Sequence, residues 1–360
     1  DIIDGRLRYD RFAYPLFNVR GEIHVTNDLV QLNRFHATNA NAGTVRCDGY
    51  YRLPRQPGQP SKHSPRTKST PLATRDQLRL DFRAANIAAD DSLRTSLPES
   101  AQPIWRSLSP NGVLDELNVV LSQAASHQPL GIDLTATQRH VARASNRSLS
   151  LRPASIPYRM DITGGKVRYD GNTVTIHAVR GQHDASQVSV DGICAKNDAG
   201  RWLLSLDVHS GSRLVPDAEL IDALPNELKE AMRRLQLRGP VNLRGSTNVL
   251  FSDERHPSPI IDWDLLLQLE GNRIGDVGPV HSLRGELSIQ GRRDAQRLFA
   301  KGTASIDSMN VNGLQIMAIE GPYSINDDVL ILGGQSVDPA SRQDAIAQQA
   351  IQPISGTLFD

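Results

Sequence analysis

The chain has 360 residues, and its 40 basic and 40 acidic side chains cancel, so no net field draws it to nucleic acid or to an anionic membrane. A hydrophobic share of 39% with only 5% aromatic argues against one thick core and leaves Val, Leu, Ile and Ala as the main apolar surface. No run of eighteen apolar residues is present to span a bilayer, and the two cysteines, Cys47 and Cys194, cannot build a disulfide framework and read as buried thiols.

The sequence opens at Asp1 in strand-like residues, without Met and without a signal-peptide pattern, as expected of a piece of a longer protein whose anchor lies elsewhere. Residues 1–53 read as the strands of a first β-repeat. Residues 54–75 read as a disordered basic insertion: Pro54 to Pro71 holds five prolines with Arg55, Lys62, Arg66 and Lys68 and no acid. Residues 76–137 complete the first repeat with a helix pair and further strands. In that pair Asp90 sits at the expected helix start, and Leu93, Leu97, Ile104, Trp105 and Leu108 are the apolar positions. A second basic stretch, 138–159, carries Arg139, Arg143, Arg147, Arg152 and Arg159 and no acid, and is open to a loop or a short helix.

Residues 160–270 read as a second β-repeat. Val167 and Tyr169, then Asp170-Gly171-Asn172, then Val174, Ile176 and Ala178 give period two around a turn, which is a hairpin signal. The alternation continues at Val188/Val190, Leu204/Leu206/Val208, Val241/Leu243 and Leu265/Leu267/Leu269, with Lys, Arg, Thr, Ser, Asp and His between, as in antiparallel strands with one wet and one dry face. A helix pair is expected over 217–237, with Asp217 as N-cap and Leu224 pushed out of the helical region by Pro225. Residues 271–360 read as a third, partial repeat, with Leu287/Ile289, Ala304/Ile306 and Leu314/Ile316, closing on a strand at Ile354 to Phe359.

The copies align by number. Asp90, Leu93, Leu97-Pro98, Leu108, Gly112 and Leu114 recur as Asp217, Leu220, Leu224-Pro225, Leu235, Gly239 and Val241, each 127 positions on. Gly21, Val25, Leu29 and Leu32 recur as Gly321, Ile325, Val329 and Leu332. Repetition of this kind points to an architecture built by adding one unit to the next. The expected fold class is mainly β: a repetitive antiparallel sheet rolled into an elongated groove, with one short helix pair per repeat. About sixteen to twenty strands at about 4.8 Å each give a ribbon on the order of 80 Å long.

Motifs for catalysis are missing. There is no G-x-S-x-G, H-E-x-x-H, C-x-x-C or P-loop. His177 and His183-Asp184 are the closest histidine grouping, but His177 alternates with Val174 and Ile176 and is expected to face water; no metal, cofactor or catalytic residue is assigned. Asp90-Asp91 and Asp327-Asp328 read as helix-start and turn residues, and Asn146-Arg147-Ser148 matches a glycosylation sequon by letters only. An antiparallel meander with a single apolar face must cover it, by a second sheet, by closure or by an apolar ligand. Moving an acyl chain through water costs about 0.8 kcal/mol per methylene, on the order of 12 kcal/mol for sixteen carbons, and a dry trough lowers that barrier without catalytic groups.

The phrases Gly164-Gly165-Lys166-Val167-Arg168-Tyr169-Asp170-Gly171, Val188-Ser189-Val190-Asp191-Gly192, Leu206-Asp207-Val208 and Gly239-Pro240-Val241-Asn242-Leu243 resemble the repeats of the AsmA/TamB-like bacterial envelope proteins, relatives of the repeating-β-groove, bridge-like lipid transfer proteins. The resemblance covers most of the chain outside the two basic insertions. It implies a taco-shaped β groove in the periplasm, joined to the inner membrane by an anchor outside this stretch, conducting phospholipid toward the outer membrane, with a periplasmic or outer-membrane protein partner and no catalytic residues. The expected groove lining is Val167, Tyr169, Val174, Ile176, Val188, Val190, Leu204, Leu206, Val241, Leu243, Leu265 and Leu267, with Arg139, Arg143 and Arg147 at lipid head groups. Two rival readings stand beside it: a non-catalytic structural or adhesive envelope protein of tandem β-sandwich domains, and a carbohydrate-active enzyme with a concave cluster of perturbed carboxylates.

Overall fold

The structure, a computed structural model, describes residues 1–9, 12–53, 76–99, 101–125, 127–139, 149–154, 156–224, 226–253, 257–275, 280–294, 297–326 and 329–333. The basic insertion 54–75, residues 140–148 and 155 of the arginine-rich stretch, Asp327-Asp328 and the expected strand Ile354 to Phe359 lie outside these. The described chain is mainly β, antiparallel, with few and short helices. In order it runs β1 (Ile2–Tyr9), β2 (Phe12–Val25), β3 (Leu29–Thr38), β4 (Thr44–Arg52), β5 (Leu78–Ala88), α1 (Asp91–Ser96), α2 (Gln102–Leu108), β6 (Val113–Gln123), β7 (Gly131–Gln138) and the two-residue β8 (Ser150–Leu151). It continues with β9 (Met160–Tyr169), β10 (Thr173–His183), β11 (Ser186–Lys196), β12 (Trp202–Leu214), α3 (Ala218–Ala223), α4 (Asn226–Leu235), β13 (Val241–Leu250), β14 (Ile260–Ile274), β15 (Val280–Arg293), β16 (Leu298–Val311), β17 (Leu314–Asn326) and β18 (Val329–Leu332).

The chain divides into two compact units, Asp1–Leu151 with Thr163–Val174, and Arg152–Ile162 with the described residues from Thr175 onward. In the first, β1 to β7 pair each with the next, and β7 pairs with β9. In the second, β11 to β18 pair in the same consecutive way.

The two helix pairs are built alike. Asp90 and Asp217 are extended residues whose carboxylates accept from Leu93 N–H at 3.0 Å and Leu220 N–H at 2.7 Å, satisfying a donor that the first helical turn leaves free. Each first helix stops at a leucine in extended backbone, Leu97 (ψ 152°) and Leu224 (ψ 153°), the conformation a following proline enforces. After the second helix the chain returns through an isolated antiparallel bridge, Asn111 with Ser150 and Arg238 with Arg273. Asn272, 1% exposed, locks the second return by donating to the Pro240 carbonyl at 3.0 Å and accepting from Glu270 N–H at 2.8 Å.

The apolar side chains behave differently in the two units. In the first, opposed residues on neighbouring strands form rows such as Phe35–Cys47–Phe82–Val119–Leu134. Against these rows lie Leu7, Tyr14, Leu16 and Val19 of β1 and β2, so strands that share no hydrogen bonds meet across the interior. Ile87 and Leu121 are fully buried there, and Val119, Val19 and Phe35 nearly so. Cavities of about 30 and about 140 Å³ remain between the walls.

In the second unit the register also puts the apolar residues on one face. One row runs Val190–Val208–Gly245–Leu265–Ile289–Gly302–Tyr323, and the next runs Gly211–Leu243–Leu267–Leu287–Ala304–Gly321. The opposite face carries polar pairs such as Asp262–Arg292, Asp264–Gln290 and Gln268–Glu286. A packed cluster of Val241, Leu269, Leu283 and Ile306 fills one end of the apolar face. Leu267 and Leu287 pack against that cluster, and beyond it Leu204, Leu206, Leu265 and Ile289 stay half-buried.

Candidate functional site

The phrases that carry the family resemblance turn out to be strand and turn chemistry. In Gly165–Gly171 the Tyr169 hydroxyl donates to the Gly171 carbonyl at 2.7 Å, while Asp170 accepts from Asn172 N–H (3.0 Å) and Thr173 N–H (2.9 Å), closing the β9–β10 turn. Those two backbone donors hold the Asp170 carboxyl below its ordinary range.

The Val-x-Val-Asp-Gly phrase pins a left-handed residue on the neighbouring strand. Ala178 of β10 sits in left-handed backbone (φ 47°), and its N–H donates to the Asp191 carboxylate one strand over. The first unit repeats this with Arg34 (φ 53°), whose N–H donates to Asp48 at 2.9 Å. A β-bulge bends its strand and deepens its twist, so a side chain that satisfies the bulged N–H fixes the curl of the sheet. The glycine that follows the aspartate permits the close approach of the next strand. A Cβ on Gly192 would stand 2.6 Å from Ser205 O and 2.7 Å from Leu206 Cδ2.

Asp191 also gathers two histidines on the polar face: His209 Nε2 lies 2.5 Å and His177 Nδ1 3.4 Å from its carboxylate. The Ala178 N–H and then His209 hold the Asp191 carboxyl down, and Asp191 raises His209. The His209 contribution to stability is complete below the ordinary imidazole value and is lost as pH rises through the raised folded one. The Asp191 contribution is present above the ordinary carboxylate value and is lost as pH falls through the lowered folded one. The urea midpoint is therefore expected to fall as pH rises past about 6.5, and His209→Gln is expected to flatten that limb. His177 faces water, as its alternation predicts. Among the described residues, no group of three or more His, Cys, Asp or Glu is placed to hold a metal ion.

Of the residues expected to line a groove, Val167 and Tyr169 lie in the first unit opposite Ala136 and Leu134, and Tyr169 is 7% exposed. Val174 belongs to the same unit. The second unit brings Val190, Leu204, Leu206, Leu243, Leu265 and Leu267 together on its half-buried apolar face. Val188 and Ile176 are half-buried in the same unit, while Val241 belongs to the filled cluster. Sequence reasoning passed over Trp263, Leu287, Ile289 and Tyr323, which continue the same rows, although Leu287 and Ile289 carry the same alternation.

The Arg139 guanidinium pairs with Glu116 and its backbone N–H donates to Asp115 at 2.9 Å. Arg143 and Arg147 lie outside the described residues. Cys47 and Cys194 are free and buried, and burial pushes their thiols up to about 12 and about 11, where they carry no reactive thiolate. Among the described residues the resolved carboxyl shifts, at Glu22, Asp170, Asp191 and Asp222, are all downward and supply no general acid. No helix of the described residues is long and apolar enough to cross a membrane. No family model, no curated protein and no solved structure matches the chain.

Proposed function

We propose that the apolar face of the second unit holds acyl chains and that the protein is a section of a hydrophobic groove conducting phospholipid or another acyl lipid. The observation that carries this reading is the set of half-buried Val, Leu and Ile side chains that share one face of β11 to β16. Full burial of such a side chain is worth about 1.5–3 kcal/mol, so a row left partly in water is relieved by any apolar cover. An acyl chain gains by the same contact, about 0.8 kcal/mol per methylene, with no requirement for directed polar groups. The cavities of the first unit are smaller than the roughly 300 Å³ at which ligand pockets begin, which favours the second unit over the first as the place for an acyl chain.

The AsmA/TamB-like resemblance extends the proposal to a periplasmic protein held at the inner membrane by a segment outside this stretch. In that setting it passes lipid toward the outer membrane and meets a protein partner there. Organic extraction of the purified chain followed by quantitative mass spectrometry is expected to release phospholipid near one equivalent; a lipid-free extract contradicts the reading. The second reading, a non-catalytic structural or adhesive envelope protein, draws support from the filled interior of the first unit, and the lipid-free extract is the result it requires.

A further inference from the structure

The two walls of the first unit do not meet everywhere. Between β1 and β2 on one side and β3, β4 and β5 on the other lies the larger of its cavities, about 140 Å³. The room comes from small side chains in one stretch of the sheet, where Ala37 opposes Val45 and Phe35 opposes Cys47. Protein interiors pack as closely as organic crystals and hold few voids larger than a water molecule. A space of this size therefore stands out from the packing beside it, where Ile87 and Leu121 are fully buried.

Water does not suit this space. A buried water needs about two to four polar partners. The walls offer leucine, valine, alanine and phenylalanine, the aliphatic stem of Arg8, and one thiol. That thiol, Cys47 Sγ, is turned to the carbonyl of its neighbour Asp48 at 4.0 Å. A dry apolar cavity of about 150 Å³ takes up benzene or xenon, and this one has the same size and lining. A long acyl chain does not fit in it. The rings of Phe35 and Phe82 and the sulfur of Cys47 form part of the wall. Both kinds of group favour an aromatic neighbour, the rings by offset or edge-to-face contact and the sulfur against a ring edge.

A route from solvent is present as well. Leu7 and Arg8 are the exposed members of the lining, and they are neighbours on β1. The register between β1 and β2 is broken three times, between Ile2 and Gly5, Gly5 and Leu7, and Leu7 and Tyr9. A strand held by so irregular a ladder can yield locally while the rest of the sheet stays paired.

We propose that the cavity beside β1 is a binding site for a compact, uncharged aromatic molecule of about six to eight carbon atoms. The walls supply shape and dispersion, Phe35, Phe82 and Cys47 favour a ring, and β1 admits it. The site lies wholly within the first unit. It does not depend on the acyl-chain reading, and either can fail while the other stands.

Toluene is the probe. Titrated into the unaltered chain and followed by methyl NMR, it is expected to give saturable shifts of the Val19, Val45 and Leu80 methyl signals, larger than any at Leu265 and Ile289. At about ten times the Kd read from that titration, amide protection over Thr44–Arg52 and Leu78–Ala88 is expected to rise about tenfold, because only the folded unit holds the ligand. Protection over Val241–Leu250 is expected to stay constant. Ala37→Leu fills the space from one wall, and the folded variant is expected to lose both effects, whereas Leu206→Asp/Leu265→Asp in the second unit is expected to keep them. The site is overturned by the absence of saturable shifts at Val19, Val45 and Leu80, by shifts as large at Leu265 and Ile289, or by an undiminished response in folded Ala37→Leu. The methyl and exchange readouts on the unaltered chain decide the matter even if Ala37→Leu does not fold.

Discussion

Leu121→Asp is expected to unfold the first unit. Leu121 is fully buried, opposed by Leu80 on β5 and Ile132 on β7, and it faces Tyr14 and Leu16 across the interior. Truncating such a leucine costs about 2–5 kcal/mol through lost contacts and the cavity left behind. A carboxyl adds the desolvation of a polar group with no partner, about 1–3 kcal/mol more. Together these approach the whole stability of a domain, about 5–15 kcal/mol. Circular dichroism and hydrogen exchange are expected to show loss of protection over β4 to β6 at room temperature. A cooperative, native-like unfolding curve for this variant means that water already reaches the interior, and that the two walls do not seal it.

The same chemistry in the second unit is expected to give the opposite outcome. Leu206 and Leu265 are half-buried on the apolar face, Leu206 opposite Gly192 and Leu265 opposite Gly245 and Ile289. An aspartate at either position keeps its carboxylate in reach of water, so the double variant Leu206→Asp/Leu265→Asp is expected to cost about 1–2 kcal/mol per site and to remain folded. Two charges on the face must, however, be stripped of water by any acyl chain laid over them. Lipid recovered by extraction is expected to fall at least about tenfold, since 1.4 kcal/mol already gives that factor. If the double variant unfolds as Leu121→Asp does, the face is a closed core; if it folds and keeps its lipid, the chains bind elsewhere.

Features set by neighbours in the chain were legible: the N-caps Asp90 and Asp217, the leucines before Pro98 and Pro225, and the Asp170-Gly171 turn each depend on contacts within a few residues. The alternation of Val188/Val190 and Leu204/Leu206 also told which residues share one apolar face. What alternation cannot tell is what that face meets. Leu78/Leu80/Phe82 and Leu204/Leu206/Val208 have the same pattern and closely similar burial, yet Leu80 and Phe82 share a cavity with Leu16 of β2. The difference lies in β1 and β2, more than fifty residues before Phe82 in the chain. The fate of Arg139 likewise depends on Glu116, and that of His183 on Arg159 and Glu219, partners that a strand pattern does not announce. The recurring Asp-Gly was visible as a phrase, but its role required the register that sets Asp48 beside Arg34 and Asp191 beside Ala178.

Trp263 offers the most direct test of acyl binding. It sits on the apolar face of β14 between Ile261 and Leu265, opposite Thr247 and Gly291, with its ring over that glycine. In a chain carrying Trp105→Phe and Trp202→Phe, Trp263 is the single remaining tryptophan. Exchange of that chain with phospholipid brominated along its acyl tails is expected to quench the Trp263 emission, and Leu206→Asp/Leu265→Asp is expected to remove the quenching. Unchanged emission at saturating brominated lipid would contradict the proposal that this face holds the chains.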